Sequence, residues 1–301
     1  MYNTDIEQFR GRLINELWKS ENARISKRSL KEILYHLTDI EGMVGIFNER
    51  TLWATHASRL NDETEISYGI GVAKAHILTR LHPPPNSEST PDISLSNKYN
   101  NILGIILNIL EAPYKNYETF VTSFCESIDK STPWLHYGRK GRGVALGFDS
   151  SRLKGGGYLL LPVEYGESEM KNVIDNAMKV AQSELDNSKM SENKDAFNSA
   201  CDIVSSFIKV QAIRFKNDSF DEEKEWRLIY WMPVSGDNSF RIKFRVSDNQ
   251  VIPYATLSLG YDTPIIKIVL GYSSSMNEND EGLKLFVGKE VNIRKSNVSV
   301  R

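Results

Sequence analysis

Residues 225–271 read EWRLIYW (225–231), MPVSGDNS, FRIKFRV (240–246), SDNQVIPY, ATLSLG (255–260), YDTP and IIKIVLG (265–271). Four short runs rich in β-branched and aromatic residues follow one another. No helical stretch intervenes between them. A chain that ends in consecutive strands does not alternate strand and helix, which disfavours a doubly wound parallel sheet. The expectation is α+β: a mixed, largely antiparallel split sheet with flanking helices.

Working outward, NENDEGLKLFV (277–287) predicts a helix and EVNIRKS (290–296) a closing strand. Upstream, residues 167–212 carry two amphipathic helices with DNSKMSENKD as the turn between them. Further strands are expected at ETFVTSFCES (118–127), RGVALGFD (142–149) and GYLLLPVEY (157–165), and a helix around 98–111. HPPPNSESTPDISLSN (82–97) has no period and reads as a loop. Near the start, DIEQFRGRLINELWK (5–19) aligns Ile6, Phe9, Leu13, Leu17 and Trp18 on one helical stripe. ILYHLT (33–38) and the alternating TLWAT (51–55) read as strands around the helical TDIEGMVGIFNER, where Thr38 and Glu41 have capping-box spacing. The implied organisation is a packing helix over 1–30 and a single α+β domain over 31–301, with insertions at about 82–97 and 167–212. No internal repeat is visible.

Composition sets bounds. The net charge is -2, with 40% hydrophobic and 25% charged residues, so nucleic-acid binding would need a local basic patch rather than a global field. Cys125 and Cys201 are too few for a disulfide framework or a cysteine-built zinc site. The opening MYNTDIEQFRGRL lacks an apolar signal core, and ILGIILNIL is too short to span a bilayer. A reduced, cytoplasmic protein with no membrane contact is expected.

Four constellations carry possible chemistry. His36 and Thr38 lie two apart on a strand and so share a face; the alternative is a histidine satisfied within the core. Arg59-Leu60-Asn61-Asp62 with Glu65 is either a helix cap or a small acidic cluster. In SFCESIDKSTPWLHYGRKGRGVALGFD (123–149), Trp134 and Tyr137 are one helical turn apart. Arg139, Gly141, Arg142 and Gly143 then form a basic turn suited to phosphate, or else a solvated connection. In FDEEKEWRLIYW (220–231), Glu223 and Glu225 share an extended face with Arg227, either as a catalytic pair or as a strand-end ion pair. There is no phosphate-binding G-x-x-x-x-G-K-[ST] loop, no G-x-G-x-x-G, no G-x-S-x-G and no compact histidine spacing for a metal. Cys125 sits in an apolar strand and reads as structural.

In order, YHLT, LWAT, LNDETE, the 123–149 segment, FDEEKEWRL and IIKIVLG resemble the bacterial DUF2971 family, a domain of unknown function, from about residue 34 to the C-terminus. His-x-Thr on an early strand followed by the short "lwat" strand is also similar to ADP-ribosyltransferase-like domains. That second resemblance implies an NAD-using enzyme, either an ADP-ribosyltransferase or an NAD glycohydrolase. It implies His36 and Thr38 on the adenosine ribose and Trp134 or Tyr137 on the nicotinamide, with Glu225, preceded by Glu223, as the catalytic carboxylate. Arg139 or Arg142 would pair with the pyrophosphate, and Asn61 and Asp62 are further cofactor-binding candidates. A fixed carboxylate would stabilise the oxocarbenium character that develops as the nicotinamide–ribose bond breaks. The acceptor stays open between protein, nucleic acid and water. By analogy such domains serve as toxins or antiphage defence effectors, sometimes with a partner protein. Two alternatives stand beside this reading: a non-catalytic nucleotide- or partner-binding sensor, and a metal-dependent nuclease using Asp62, Glu65, Glu223 and Glu225.

Overall fold

The computed structural model describes residues 2–60, 64–82, 93–111, 117–153, 157–233, 241–247 and 249–298. The chain forms two compact units, each assembled from separated segments. Unit 1 comprises Met1–Arg28, Asp62–Lys115 and Glu164–Asp218; unit 2 comprises Ser29–Asn61, Asn116–Val163 and Ser219–Arg301. This differs from the expected division at residue 30. The N-terminal helix and the 167–212 helices carry apolar stripes that pack on one another, so they form a core of their own instead of decorating a single domain.

Unit 1 is helical, built from α1 (Tyr2–Ile25), α3 (Thr64–Leu81), α4 (Ile93–Glu111), α6 (Glu167–Asn187) and α7 (Lys194–Ala212). The stripe expected from the N-terminal periodicity is the buried one: Phe9, Leu13 and Leu17 pack with Ile77, Ile106, Met178 and Val204. Each such side chain contributes roughly 1.5–3 kcal/mol on burial. At Gly69 on α3 a Cβ would meet the Ala212 carbonyl at 2.5 Å, so glycine sets the close approach of α3 to α7. Arg214, fully buried, donates to Glu21 and Glu164, and Arg24 joins the same two carboxylates. The pair β6 (Glu164–Tyr165) and β7 (Phe215–Lys216) is parallel.

Unit 2 holds the strands β1 (Ile33–Thr38), β2 (Thr51–His56), β3 (Tyr117–Cys125), β4 (Val144–Asp149), β5 (Tyr158–Pro162), β8 (Glu225–Pro233), β9 (Lys243–Ser247), β10 (Gln250–Ser258), β11 (Ile265–Leu270) and β12 (Asn292–Lys295). Its helices are α2 (Ile40–Glu49), α5 (Ser131–His136) and α8 (Glu281–Val287). The ten strands make one sheet, antiparallel except for β11 with β12. The mixed, largely antiparallel α+β expectation therefore holds. Asp39, not Thr38, caps α2, its carboxylate accepting from the Gly42 N–H at 2.7 Å. Thr38 still ends the strand, so the residue after it is the one free to turn its side chain onto the helix start.

The sheet forks at β3. Its whole length pairs with β8 along one edge. The other edge is shared: β1 meets it at Tyr35–Cys125, and β2 at Thr55–Val121 and His56–Phe120. Residues 122–124 thus face a gap between β1 and β2. An unpaired strand edge needs substitutes for its ladder. Here side chains supply them: His36 Nδ1 donates to the Ser123 carbonyl at 2.9 Å, and the Thr122 hydroxyl donates to the Trp53 carbonyl at 3.2 Å.

Candidate functional site

Residues expected to act together separate onto two faces of this sheet. Directly paired residues share a face. Cys125 pairs with both Tyr35 and Glu225, so Glu225 and Arg227 look out with them on the α5 side. His36 is one residue past Tyr35, so it turns the other way and contacts the Phe124 ring at 5.8 Å.

The α5 side gathers Tyr137, Glu223, Glu225 and Arg227. The Tyr137 hydroxyl donates to Glu223 Oε1 at 2.9 Å. Arg227 grips Glu225 with two N–H groups, at 2.8 and 3.1 Å, and the two side chains are 2% and 6% exposed. This is a bidentate, desolvated ion pair. Burial, with Glu225 and Glu223 adding to it, pushes the Cys125 thiol up to about 12, so it stays protonated and a poor nucleophile. Trp134 is fully buried against Cys125, Ala145 and Val269, and its indole N–H donates to the Ile128 carbonyl at 2.8 Å. An indole with both faces packed has none to offer a nicotinamide ring, so Trp134 is a core residue and not a stacking platform.

The basic turn is built for packing. Arg139–Gly141 is a single 3-10 turn in which Gly141 and Gly143 both donate to the Gly138 carbonyl, and Arg142 N–H donates to Arg139. At Gly143 a Cβ would lie 2.3 Å from the Thr38 carbonyl, and at Gly141 (φ +79°) 2.3 Å from the Tyr272 ring. The glycines admit neighbours, and their amides point inward, away from any phosphate. Arg139 pairs with Asp39 at 2.9 Å, and Arg142 is exposed. Burial works against the Asp39 charge, but the Gly42 N–H and Arg139 outweigh it and hold its carboxyl below the usual range. Asn61 and Asp62 lie outside the described residues, as does the side chain of Glu65. Among the described residues, no three His, Cys, Asp or Glu side chains converge to hold a metal.

The fork collects residues that sequence reasoning passed over. Thr51, Trp53 and Thr55 of β2 lie opposite Ser258, Thr256 and Tyr254 of β10, and β10 in turn pairs Tyr254 with Lys243 and Ile252 with Arg245. The Trp53 and Tyr254 rings lie 4.6 Å apart at 34°. Arg245 lies over the Trp53 ring at 5.7 Å and donates to Thr55 Oγ1 at 3.0 Å. Among the described residues its Nε is buried with no hydrogen-bond partner. Such an atom costs stability unless something else satisfies it. Trp53 keeps 40% of its surface exposed.

His36 borders the same gap. A carbonyl can only accept, so Nδ1 carries the proton and Nε2 presents its lone pair. Burial pushes the imidazole below its ordinary value; the bond to the Ser123 carbonyl opposes this, and the Arg245 charge adds to it. The signal for Trp53 was present in the alternation of TLWAT, which turns it away from core-facing Leu52 and Ala54. Its partners come from strands two hundred positions later, which no local pattern reveals.

Residues 134–228 match the model of a family described as protein of unknown function (DUF2971). The match is narrower than the expected span from residue 34. It takes in Tyr137, Glu223, Glu225 and Arg227 but stops short of β1, β2, β9 and β10. No curated protein and no solved structure gives a match.

Proposed function

We propose that unit 2 binds a nucleotide at the β1–β2 fork, with a base against Trp53 and a phosphate at Arg245. The observation that carries this reading is Arg245 itself. It is a half-buried guanidinium laid over an exposed indole, held by one neutral hydroxyl, with Nε unsatisfied. A phosphate would pair with the part-exposed guanidinium, and a base would pack against the exposed portion of the indole.

The test is titration of a fluorescent mononucleotide into the purified chain. Trp53→Ala and Arg245→Gln are expected to weaken binding at least tenfold, and Glu225→Gln to leave affinity unchanged. Equal binding by the parent and both fork variants would overturn the assignment.

A second reading, NAD cleavage or ADP-ribosyl transfer, is supported by the convergence of Tyr137, Glu223 and Glu225 on one face. It predicts nicotinamide release from NAD that is lost in Glu223→Gln and Glu225→Gln. No release with protein, DNA, RNA and water all offered as acceptors would remove it. Because Glu225 is held by Arg227 through two hydrogen bonds, this reading stands second. No described helix is long and apolar enough to cross a membrane.

A further inference from the structure

We propose that Ser58, His56 and Glu118 form a serine nucleophile with its general base and the carboxylate that orients it, a site for small carboxylic esters where β2 ends. The inference does not rest on the nucleotide-binding reading of the fork.

The three side chains meet through local structure. β2 ends at His56, whose pairing with Phe120 puts both residues on one face of the sheet. Glu118, two residues from Phe120 on β3, shares that face. After His56 the backbone enters the single 3-10 turn Ala57–Arg59, which brings Ser58 back to the imidazole. The contacts run in series. The Ser58 hydroxyl lies 2.7 Å from His56 Nδ1, and His56 Nε2 lies 2.7 Å from Glu118 Oε2. The Phe120 ring meets the imidazole edge-on, with centroids 5.3 Å apart.

The Ser58 backbone fixes the direction of the proton. Its N–H donates to Nδ1 at 3.3 Å, and a backbone N–H can only donate. Nδ1 therefore presents a lone pair, and the Ser58 hydroxyl donates to it. Nε2 carries the ring proton, which Glu118 accepts. A hydroxyl facing a base whose tautomer is held by a carboxylate is the arrangement that activates a serine. Capping the turn needs only the backbone bond; the hydroxyl contact and the carboxylate on the opposite nitrogen go beyond it. Ser58 is exposed, so an ester reaches Oγ from solvent. Arg59, the one charged residue of the turn, brings the sign of charge that a carbonyl oxygen needs as Oγ adds.

In the reaction Oγ adds to the ester carbonyl carbon while Nδ1 takes the hydroxyl proton. That proton passes to the departing alcohol oxygen as its bond to the carbonyl carbon breaks, leaving the acyl group on Ser58. Water then attacks the acyl carbon and gives a proton to Nδ1. The acid leaves as the proton returns to Oγ. The sum is ester plus water to acid plus alcohol, and nothing else is consumed.

The experiment treats the intact chain with p-nitrophenyl acetate and, separately, with an alkyl fluorophosphonate, which loses fluoride as Oγ bonds to phosphorus. Nitrophenol release and the masses of labelled peptides are read. The parent is expected to hydrolyse the ester and to carry the phosphonate on Ser58, and Ser58→Ala to lose both. His56→Asn is expected to slow labelling about a hundredfold and Glu118→Gln roughly tenfold. Both losses are expected in the maximal labelling rate, with the half-saturating probe concentration unchanged, as for groups that act on the proton and not on probe binding. Glu118→Gln, at a half-exposed position, keeps the test open if His56→Asn fails to fold. A parent without label on Ser58 would overturn the proposal, as would label confined to surface lysines. Equal rates in the parent, His56→Asn and Glu118→Gln would do the same, since the serine would then react without its base.

Discussion

Arg227 and Arg245 both sit on strands of unit 2 beside residues that look chemical, yet their surroundings are opposite. Arg227 is 2% exposed and holds Glu225 through two hydrogen bonds. Arg245 is half-buried, bonded to a threonine hydroxyl, with a ring beneath it and a nitrogen left without an acceptor. The first pair is complete in itself, and a complete buried pair mainly holds structure. The second leaves a buried nitrogen without an acceptor among the described residues, on a guanidinium that is otherwise part-exposed. The glutamate–arginine strand entry reads as an active site because it concentrates reactive residue types. Whether those residues are already engaged with one another separates the two places, and sequence does not carry that information.

The largest expected effect tests this difference directly. Arg227→Met strips Glu225 of its bidentate guanidinium and is expected to cost roughly 3–5 kcal/mol. Arg245→Met removes a cation with no carboxylate bound to it among the described residues and is expected to cost less, about 1 kcal/mol, the typical worth of a hydrogen bond such as its bond to Thr55 Oγ1. Urea midpoints of the two variants against the parent measure both. Similar losses would collapse the distinction between a closed and an open arginine.

A smaller effect sharpens it at the basic turn. A methyl group at Gly143 would press on the Thr38 carbonyl, and backbone cannot swing aside as a side chain can. Gly143→Ala is expected to destabilise by about 1–3 kcal/mol, as overpacking does. The same variant is expected to leave mononucleotide affinity at the fork unchanged, measured on folded protein below its transition. A variant of parental stability that lost the nucleotide would return this turn to the role its glycines and arginines suggested.

Much of the fold was legible because it rests on local pattern. ILYHLT, TLWAT, EWRLIYW and IIKIVLG became strands, and the 167–212 helices fell where their period placed them; FRIKFRV and ATLSLG are strand only in part, since β9 starts at Lys243 and β10 already at Gln250. Two features were not legible. The helical unit collects α1, α3, α4, α6 and α7 from three separated segments, and nothing in a single apolar stripe says which other stripe will cover it. The fork depends on β1 and β2 dividing one edge of β3, a matter of pairing between distant segments. At the site, His36 was singled out with Thr38 for a shared strand face; the structure gives its imidazole a task the strand pattern did not contain, replacing a missing ladder bond to Ser123. Trp134 and the glycines were chosen for their type, and type could not report that the indole is enclosed and the amides are directed inward.

The smallest effect concerns the imidazole that borders the open side of the comparison. His36 titrates near 6.5 in the unfolded chain, and burial holds it lower in the folded one, with Arg245 acting in the same direction. Between those two values the unfolded chain binds more protons. Stability from this group is therefore full above about pH 6.5 and declines as pH falls through the window toward the folded value. Asp39, the nearby carboxylate, is held below 3.8 and stays ionised throughout that window. His36→Asn keeps an N–H for the Ser123 carbonyl but does not titrate, so its stability is expected to fall less steeply than the parent's between pH 7 and pH 5. A phosphate bound at Arg245 would screen the cation that helps keep His36 neutral. Saturating nucleotide is accordingly expected to flatten the parent's slope toward that of the variant. Parallel curves for parent and variant without ligand would mean that the imidazole titrates alike in the folded and the unfolded chain.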